Sequence, residues 1–218
     1  MVKSRPKIIL SAAISLDGKI ATKTGDSKLS SKKDKIRLHK LRSKVDSILV
    51  GRNTVQRDDP LLTVRYAKGK NPIRIILDSQ GTISSNSKIV KTCKKIPTII
   101  VVAKKIPKKN LSRLQNLPLE IVILGNKKIN IKKLLRYLSK QKINSVLLEG
   151  GGTINWEFLN ENLVDEMIIT LTPFLIGGKD ATTLVQGKGF SSIANSKKFY
   201  LKQVTRQGDE LVLRYFKL

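Results

Sequence analysis

Histidine and cysteine are almost missing from this chain: His39 and Cys93 are the only ones in 218 residues. A single cysteine excludes an internal disulfide and any cysteine-built zinc site, and it fits a reducing cytoplasm. A single histidine leaves a Ser-His-Asp hydrolase only His39 as its base, and nothing around it has the pattern of a nucleophile elbow. His39 lies inside an expected helix, where a structural or exposed place is the plainer reading. No metal site is expected: Asp58-Asp59 could hold a cation, but Pro60 beside them favours a helix-ending turn. No run of about 18 apolar residues exists, so no membrane span is expected. The G-x-G-x-x-G fingerprint is absent, which leaves an ordinary Rossmann dinucleotide site unsupported.

Acids and aromatics are also scarce. Sixteen Asp and Glu face 43 Lys and Arg, for a net charge of +27, while aromatics make up 5%. Such a balance points first to nucleic acid. The lysines, however, are scattered along the whole chain, with no RNP-like aromatic motif, zinc finger or long basic tail. They read as a solvated surface whose positive field would draw in a phosphorylated small molecule, and no nucleic-acid partner is expected.

What is present is an alternation of strands and helices. Hydrophobic residues make up 40% of the chain, ample for a core. The basic start, residues 1–6, leads into an alternating stretch over 7–14 that reads as a strand and not as a signal peptide. Ser31 can cap a helix running to about Arg42, with Ile36, Leu38 and Leu41 on its apolar face. Short strands follow at 47–50, 73–78, 98–102 and 121–124. A helical turn is expected at 54–57, and 131–141 carries Ile131, Leu134, Leu135 and Leu138 at helical spacing. After a strand at 166–171, residues 198–205 and 210–216 form a hairpin around Gln207-Gly208-Asp209. The pattern predicts an α/β fold with a mostly parallel central sheet flanked by helices and an antiparallel C-terminal hairpin. No repeat, linker or boundary interrupts it, so one domain over 1–218 is expected.

The most informative stretch is Leu148-Glu149-Gly150-Gly151-Gly152-Thr153. An apolar strand ends in an acid, three glycines and a Thr that can cap the amphipathic segment 154–163. Glycines without side chains let a phosphate reach bare backbone N–H groups, and a helix start adds roughly half a positive charge. In open α/β sheets ligands bind beyond the carboxyl ends of the strands. Three more exits carry small or polar turns: 51–54, 78–81 and 125–126. A ligand spanning all four would be as long as a dinucleotide.

Three motifs in this order resemble one family: Ser15-Leu16-Asp17-Gly18-Lys19-Ile20-Ala21; Gly51-Arg52-Asn53-Thr54 with Asp58-Asp59-Pro60-Leu61-Leu62-Thr63-Val64-Arg65; and Leu148-Glu149-Gly150-Gly151-Gly152-Thr153. They resemble the riboflavin-biosynthesis reductases, in particular the stand-alone archaeal type, and the C-terminal domain of bacterial deaminase–reductases. The resemblance implies a dihydrofolate-reductase-like fold and a cytoplasmic homodimer. It implies NADPH as cofactor, with NADH left open, and reduction of a phosphoribosylamino pyrimidine to its ribitylamino product. It places Ala13, Thr54, Asp58, Asp78, Ser79, Gln80, Gly81, Gly125, Gly150, Gly151, Gly152 and Thr153 on the cofactor. It places Asp26 or Ser27, Arg42, Leu62, Arg65 and Glu149 on the substrate. Glu149, with Asp58 second, is the candidate acid for proton movement. Arg42 also suits its helix's C-terminus, Leu62 the core, and Asp17 a turn-shaping part.

Two readings stay beside this one. The substrate could be the deaminated uracil analogue or another pterin or pyrimidine, although two arginines suit a phosphorylated sugar. A basic nucleic-acid-binding protein on the same sheet is the non-enzyme alternative. No segment with deaminase zinc ligands is seen, so the chain alone is not expected to deaminate.

Overall fold

The computed structural model describes residues 5–218, so residues 1–4 of the basic start lie outside the described residues. In chain order the strands and helices are β1 (Lys7–Ile14), β2 (Lys19–Ala21), α1 (Lys32–Arg42), β3 (Ser47–Gly51), α2 (Arg52–Asp58), β4 (Ile73–Leu77), α3 (Lys88–Lys91), β5 (Thr98–Val102), α4 (Lys108–Gln115) and β6 (Glu120–Ile123). Then come α5 (Ile131–Lys140), β7 (Ser145–Gly150), α6 (Gly152–Asn160), β8 (Glu166–Leu171), β9 (Thr182–Thr183), β10 (Phe199–Gln207) and β11 (Glu210–Lys217). The chain packs as two compact units. One holds residues 5–7 and 39–147; the other holds 8–38 and 148–218.

In the first unit the strand order is β7-β3-β4-β5-β6, with β7 contributing its first residues. β3 to β6 pair in parallel, each with the next. Ile48, Leu49, Val50, Ile75, Ile76, Ile100, Val101 and Val102 are fully buried. These unbroken apolar runs are what a strand covered on both faces requires. Helix α5 turns Ile131, Leu134, Leu135 and Leu138 inward, as its spacing predicts; each such side chain contributes roughly 1.5–3 kcal/mol. Its N-cap is Asn130, whose side chain accepts the Lys133 N–H at 2.9 Å.

Arg74 breaks the apolar rule of β4. It is 0% exposed. Its guanidinium donates to the carbonyls of Leu61, Ile89 and Ile96 and to the hydroxyls of Thr92 and Thr98, at 2.6–3.3 Å. Five partners around one fork tie the 61–62 loop, α3 and the start of β5 together. Burial pulls this guanidinium down to about 10, with Cys93 nearby acting the other way, so it stays charged at neutral pH.

In the second unit the order is β10-β11-β8-β1-β7, β7 contributing its last residues. β1 and β8 are parallel; β8, β11 and β10 run antiparallel in turn. The hairpin turn is the two residues Gly208-Asp209, with Gly208 at φ +68. A left-handed first position is what this tight turn demands, and it favours glycine. A small β2·β9 ladder completes the unit.

Four expectations change. Helix α1 does not bury Ile36, Leu38 and Leu41, which are half-exposed; its buried positions are Asp34, His39 and Arg42. Polar bonds replace apolar packing there: Asp34 accepts from Ser30, from Arg37 at 2.7 Å and from Thr170 at 2.7 Å. Thr153 does not cap the helix after the glycines. That helix starts at Gly152, its N-cap is Gly151 and no side chain caps it, because the left-handed Gly150 and Gly151 bring the chain into helical geometry one residue sooner. Helices α3 and α4 are not among the expected elements; both are short and lysine-rich, and Pro107 stands at the N-cap of α4. Strands β2 and β9 were also missed, being too short to show a period.

Candidate active site

Parallel pairing lines up the strand exits of the first unit. Gly51 sits beside Leu77, Leu77 beside Val101, and Val102 beside Ile123. The turns that follow therefore leave one edge side by side. Their backbones interlock: Ala103 N–H donates to the Ser79 carbonyl at 3.1 Å, and Lys104 N–H to the Gly125 carbonyl at 3.0 Å. Ser79, Gln80, Gly81 and Gly125 are thus brought together, with Thr54 and Asp58 on α2 after the neighbouring exit.

The turn residues differ in what they can offer a ligand. Asp78 is buried and accepts the Ile83 N–H at 2.7 Å, so its carboxylate frames its own loop. Gly81 has φ +62, and a Cβ there would meet Ile106 at 2.6 Å; at Gly125, φ +83, it would meet the Lys128 carbonyl at 2.0 Å. Both glycines are demanded by packing. Ser79 is half-buried and Gln80 exposed. Beside Gly125 opens a cavity of about 600 Å³ lined by Lys104, Ile123, Leu124, Asn126, Asn130 and Lys133. Lys104 and Lys133 had not been singled out, because nothing in a chain with 43 basic residues marks two of them.

A second group in this unit surrounds the irregular stretch 59–72, which carries no helix or strand. Asp59 ends α2 at φ 38, and its carboxylate accepts the Lys88 N–H at 2.8 Å. Leu62 has φ 51 and is 2% exposed, a left-handed backbone with its side chain in the core. Arg42 is 6% exposed and donates from Nη1 to the Thr63 carbonyl at 3.1 Å. Arg65 is exposed, its guanidinium carbon 5.9 Å from the Tyr66 ring centre. Arg42 and Arg65 thus converge on one segment, Arg42 holding its backbone and Arg65 projecting from it.

In the second unit, Ala13 is half-buried on β1 opposite Thr170. Asp26 and Ser27 are exposed in the loop after β2, where Asp26 accepts the Lys28 N–H at 3.1 Å. Asp17 shapes its turn: it accepts from the Ser15 hydroxyl at 2.6 Å and from the N–H groups of Ile176 and Gly177 at 3.1 and 2.8 Å. Those bonds, the Ser15 hydroxyl first, hold its carboxyl down at about 2.

Glu149 is half-buried as the penultimate residue of β7. Gly150 at φ +58 and Gly151 at φ +100 make the turn into α6. A Cβ on Gly150 would lie 2.0 Å from the buried Asn155 Oδ1, and one on Gly152 would lie 2.6 Å from the Thr183 carbonyl. Asn155 donates to the Leu184 carbonyl at 2.8 Å, and Gln186 N–H to the Gly152 carbonyl at 2.9 Å. The glycine turn is therefore clamped on segment 183–186, a neighbour that sequence reasoning did not find. Gly150 and Gly152 are buried, so what the turn offers a ligand is the backbone at half-buried Gly151 and exposed Thr153, at an α6 start without a side-chain cap, a donor set that fits a phosphate group.

Among the described residues no group of three or more His, Cys, Asp or Glu side chains could hold a metal ion, and no helix is long and apolar enough to cross a membrane.

The family described as the RibD C-terminal domain matches residues 6–213. The chain is 38% identical to a 2,5-diamino-6-ribosylamino-4(3H)-pyrimidinone 5′-phosphate reductase of Methanothermobacter thermautotrophicus, covering 97% of this chain and 98% of that one. It is also 38% identical to a protein of the same name from Aquifex aeolicus, covering 97% and 96%. Among solved structures it matches a diaminohydroxyphosphoribosylaminopyrimidine deaminase/5-amino-6-(5-phosphoribosylamino)uracil reductase of Thermotoga maritima, at 27% identity and a TM-score of 0.82. That match covers 99% of this chain and 58% of the Thermotoga chain. The fold is the expected dihydrofolate-reductase-like α/β fold.

Proposed function

The chain belongs to the RibD C-terminal domain family, and from that premise we propose that it reduces 2,5-diamino-6-(5-phospho-ribosylamino)pyrimidin-4(3H)-one to the ribitylamino compound of riboflavin biosynthesis. Its two units act as one reductase domain, and NADPH is the cofactor. The observation that carries the reading is the Glu149-Gly150-Gly151-Gly152 turn: a half-buried acid near the end of β7, followed at once by an α6 start without a side-chain cap.

When bound, NADPH supplies the hydride that C1′ of the ring-opened sugar imine receives. The chain's own residues bind, orient and move a proton. The backbone of Gly150 to Thr153 holds the pyrophosphate, and Ala13 lies against the nicotinamide. Ser79, Gln80 and Gly125, with Thr54 and Asp58, border the rest of the cofactor. Lys104 and Lys133 support a 2′-phosphate at the cavity beside Gly125, and so NADPH over NADH. Arg65, projecting from the segment whose Thr63 carbonyl Arg42 holds, takes the substrate phosphate; Asp26 or Ser27 is a further substrate contact, and Leu62, 2% exposed, serves the core. Glu149 delivers the proton that the imine nitrogen needs as C1′ is reduced. Holding these groups in one geometry supplies much of the rate.

The assay is NADPH absorbance with this substrate and, in parallel, with its deaminated uracil analogue. Glu149→Gln is expected to cut turnover roughly a hundredfold or more while leaving the NADPH KM near normal. Near-normal turnover in that variant removes Glu149 from the chemistry. No oxidation with either substrate overturns the reading, and salt-sensitive RNA binding in its place would favour the basic-protein alternative.

The active form is a homodimer in the cytoplasm. Tyr200, Leu201 and Val204 on the edge strand β10, and Leu211 on β11, are exposed, and an apolar edge strand of this kind is normally covered. The buried, unpaired Cys93 suits a reducing compartment. Light scattering at a monomer mass would overturn the dimer.

A further inference from the structure

The single histidine takes no part in the chemistry above, yet it is 3% exposed and held in a defined geometry. Its Nδ1 accepts the backbone N–H of Arg65 at 2.8 Å and lies 3.4 Å from that of Tyr66. A ring nitrogen that accepts an N–H carries no proton of its own, so Nδ1 is the ring's acceptor here. The Tyr66 ring meets the imidazole edge-on, 4.7 Å between centres. One turn along the same face of α1, Arg42 donates to the Thr63 carbonyl. A third hold comes from Arg74 Nη1 on the Leu61 carbonyl, at 3.3 Å. The stretch they grip has no ladder or helix of its own, and it carries the left-handed Leu62. A backbone of that kind persists only where its surroundings determine it.

We propose that His39 is a positioning residue for substrate recognition: its Nδ1 holds the Arg65 amide and thereby sets the direction in which the Arg65 guanidinium leaves the backbone toward the substrate phosphate. This rests on the reading of Arg65 as the phosphate contact. The acceptor matters more than the ring. Exposed Arg65 has a flexible side chain, and a fixed Cα–Cβ direction is what limits the volume its guanidinium searches.

Three variants separate these parts. His39→Asn removes the ring and its edge contact with Tyr66 but keeps an acceptor, Oδ1, at the branch position of Nδ1. His39→Gln moves the acceptor one bond outward. His39→Leu removes it. Steady-state kinetics with the phosphorylated substrate and its dephosphorylated form are read beside hydrogen exchange of the Arg65 amide. His39→Leu is expected to raise KM for the phosphorylated substrate about tenfold, with kcat and the NADPH KM within about twofold. Preference for the phosphorylated form should fall by the same factor, and the Arg65 amide should lose its protection. His39→Asn should keep both, and His39→Gln should fall between. The proposal is overturned if His39→Asn is as impaired as His39→Leu, if the substrate KM does not move while the amide is released, or if kcat and both KM values fall together. The exchange arm needs no substrate. Should the unaltered enzyme fail to turn over, the functional reading fails, while equal Arg65 protection in all variants would separately dismiss the hold by His39.

Discussion

Glu210, the first residue of β11, holds the start of helix α1 across 179 positions of chain: its carboxylate accepts the Ser31 N–H at 2.7 Å and the Ser31 hydroxyl at 2.6 Å. Ser31 is the cap that the sequence announces, and its hydroxyl in turn accepts the Asp34 N–H at 3.2 Å. Gln207 adds a third donor to Glu210 at 3.0 Å. Glu210→Ala should destabilise the protein by about 2 kcal/mol, the scale of hydrogen bonds to a buried charged group. Glu210→Gln, which keeps one accepting oxygen, should lose less. Urea unfolding of the two variants beside the wild type checks the order.

Asp17 makes an acid-side prediction. Its folded value, about 2, lies below the ordinary 3.8. The bonds to Ser15, Ile176 and Gly177 therefore favour the folded state above about 3.8 and are lost as pH falls toward 2. The amide signals of Ile176 and Gly177 should shift together across that window. In Asp17→Asn the shift should disappear.

Arg74→Met should cost about 3 kcal/mol or more. The volume is nearly kept, but the Ile89 carbonyl loses this donor in a buried place, and those of Leu61 and Ile96 lose it in part-buried ones. Arg74→Lys should recover only part, since one ammonium cannot span the five partners of the fork. Thermal unfolding with the wild type as reference gives the comparison. Faster exchange should concentrate in residues 61–66.

Gly150→Ala meets two obstacles. Its φ of +58 costs an L residue about 1–2 kcal/mol, and the new methyl would stand 2.0 Å from Asn155 Oδ1. The variant should melt earlier and bind NADPH more weakly. Adding Asn155→Ala should relieve the collision but not the backbone strain, so recovery should be incomplete in the melting temperature.

The legible parts of this molecule are those written in neighbouring residues. Buried runs such as 47–51 and 98–102 declare strands because each residue needs cover on both faces. The 3.6-residue spacing of Ile131, Leu134, Leu135 and Leu138 declares α5. Gly150, Gly151 and Gly208 stand where left-handed backbone was needed. Helix α1 misled for a reason of the same kind: its apolar spacing is real, but Asp34, His39 and Arg42 are the residues that burial selects, because polar groups from distant segments satisfy them.

The sequence by itself determined the fold class, the glycine turn after Glu149 and the family, since each depends on local pattern and motif order. Tertiary structure alone decided that Asp78 closes its own loop, that Arg42 grips the Thr63 carbonyl, that Lys104 and Lys133 share a cavity, and that the one histidine holds the Arg65 amide. Two of these, Arg42 with Thr63 and His39 with Arg65, pair polar groups far apart in the chain, and a hydrogen bond's partner is chosen by direction and distance, which no local spacing encodes.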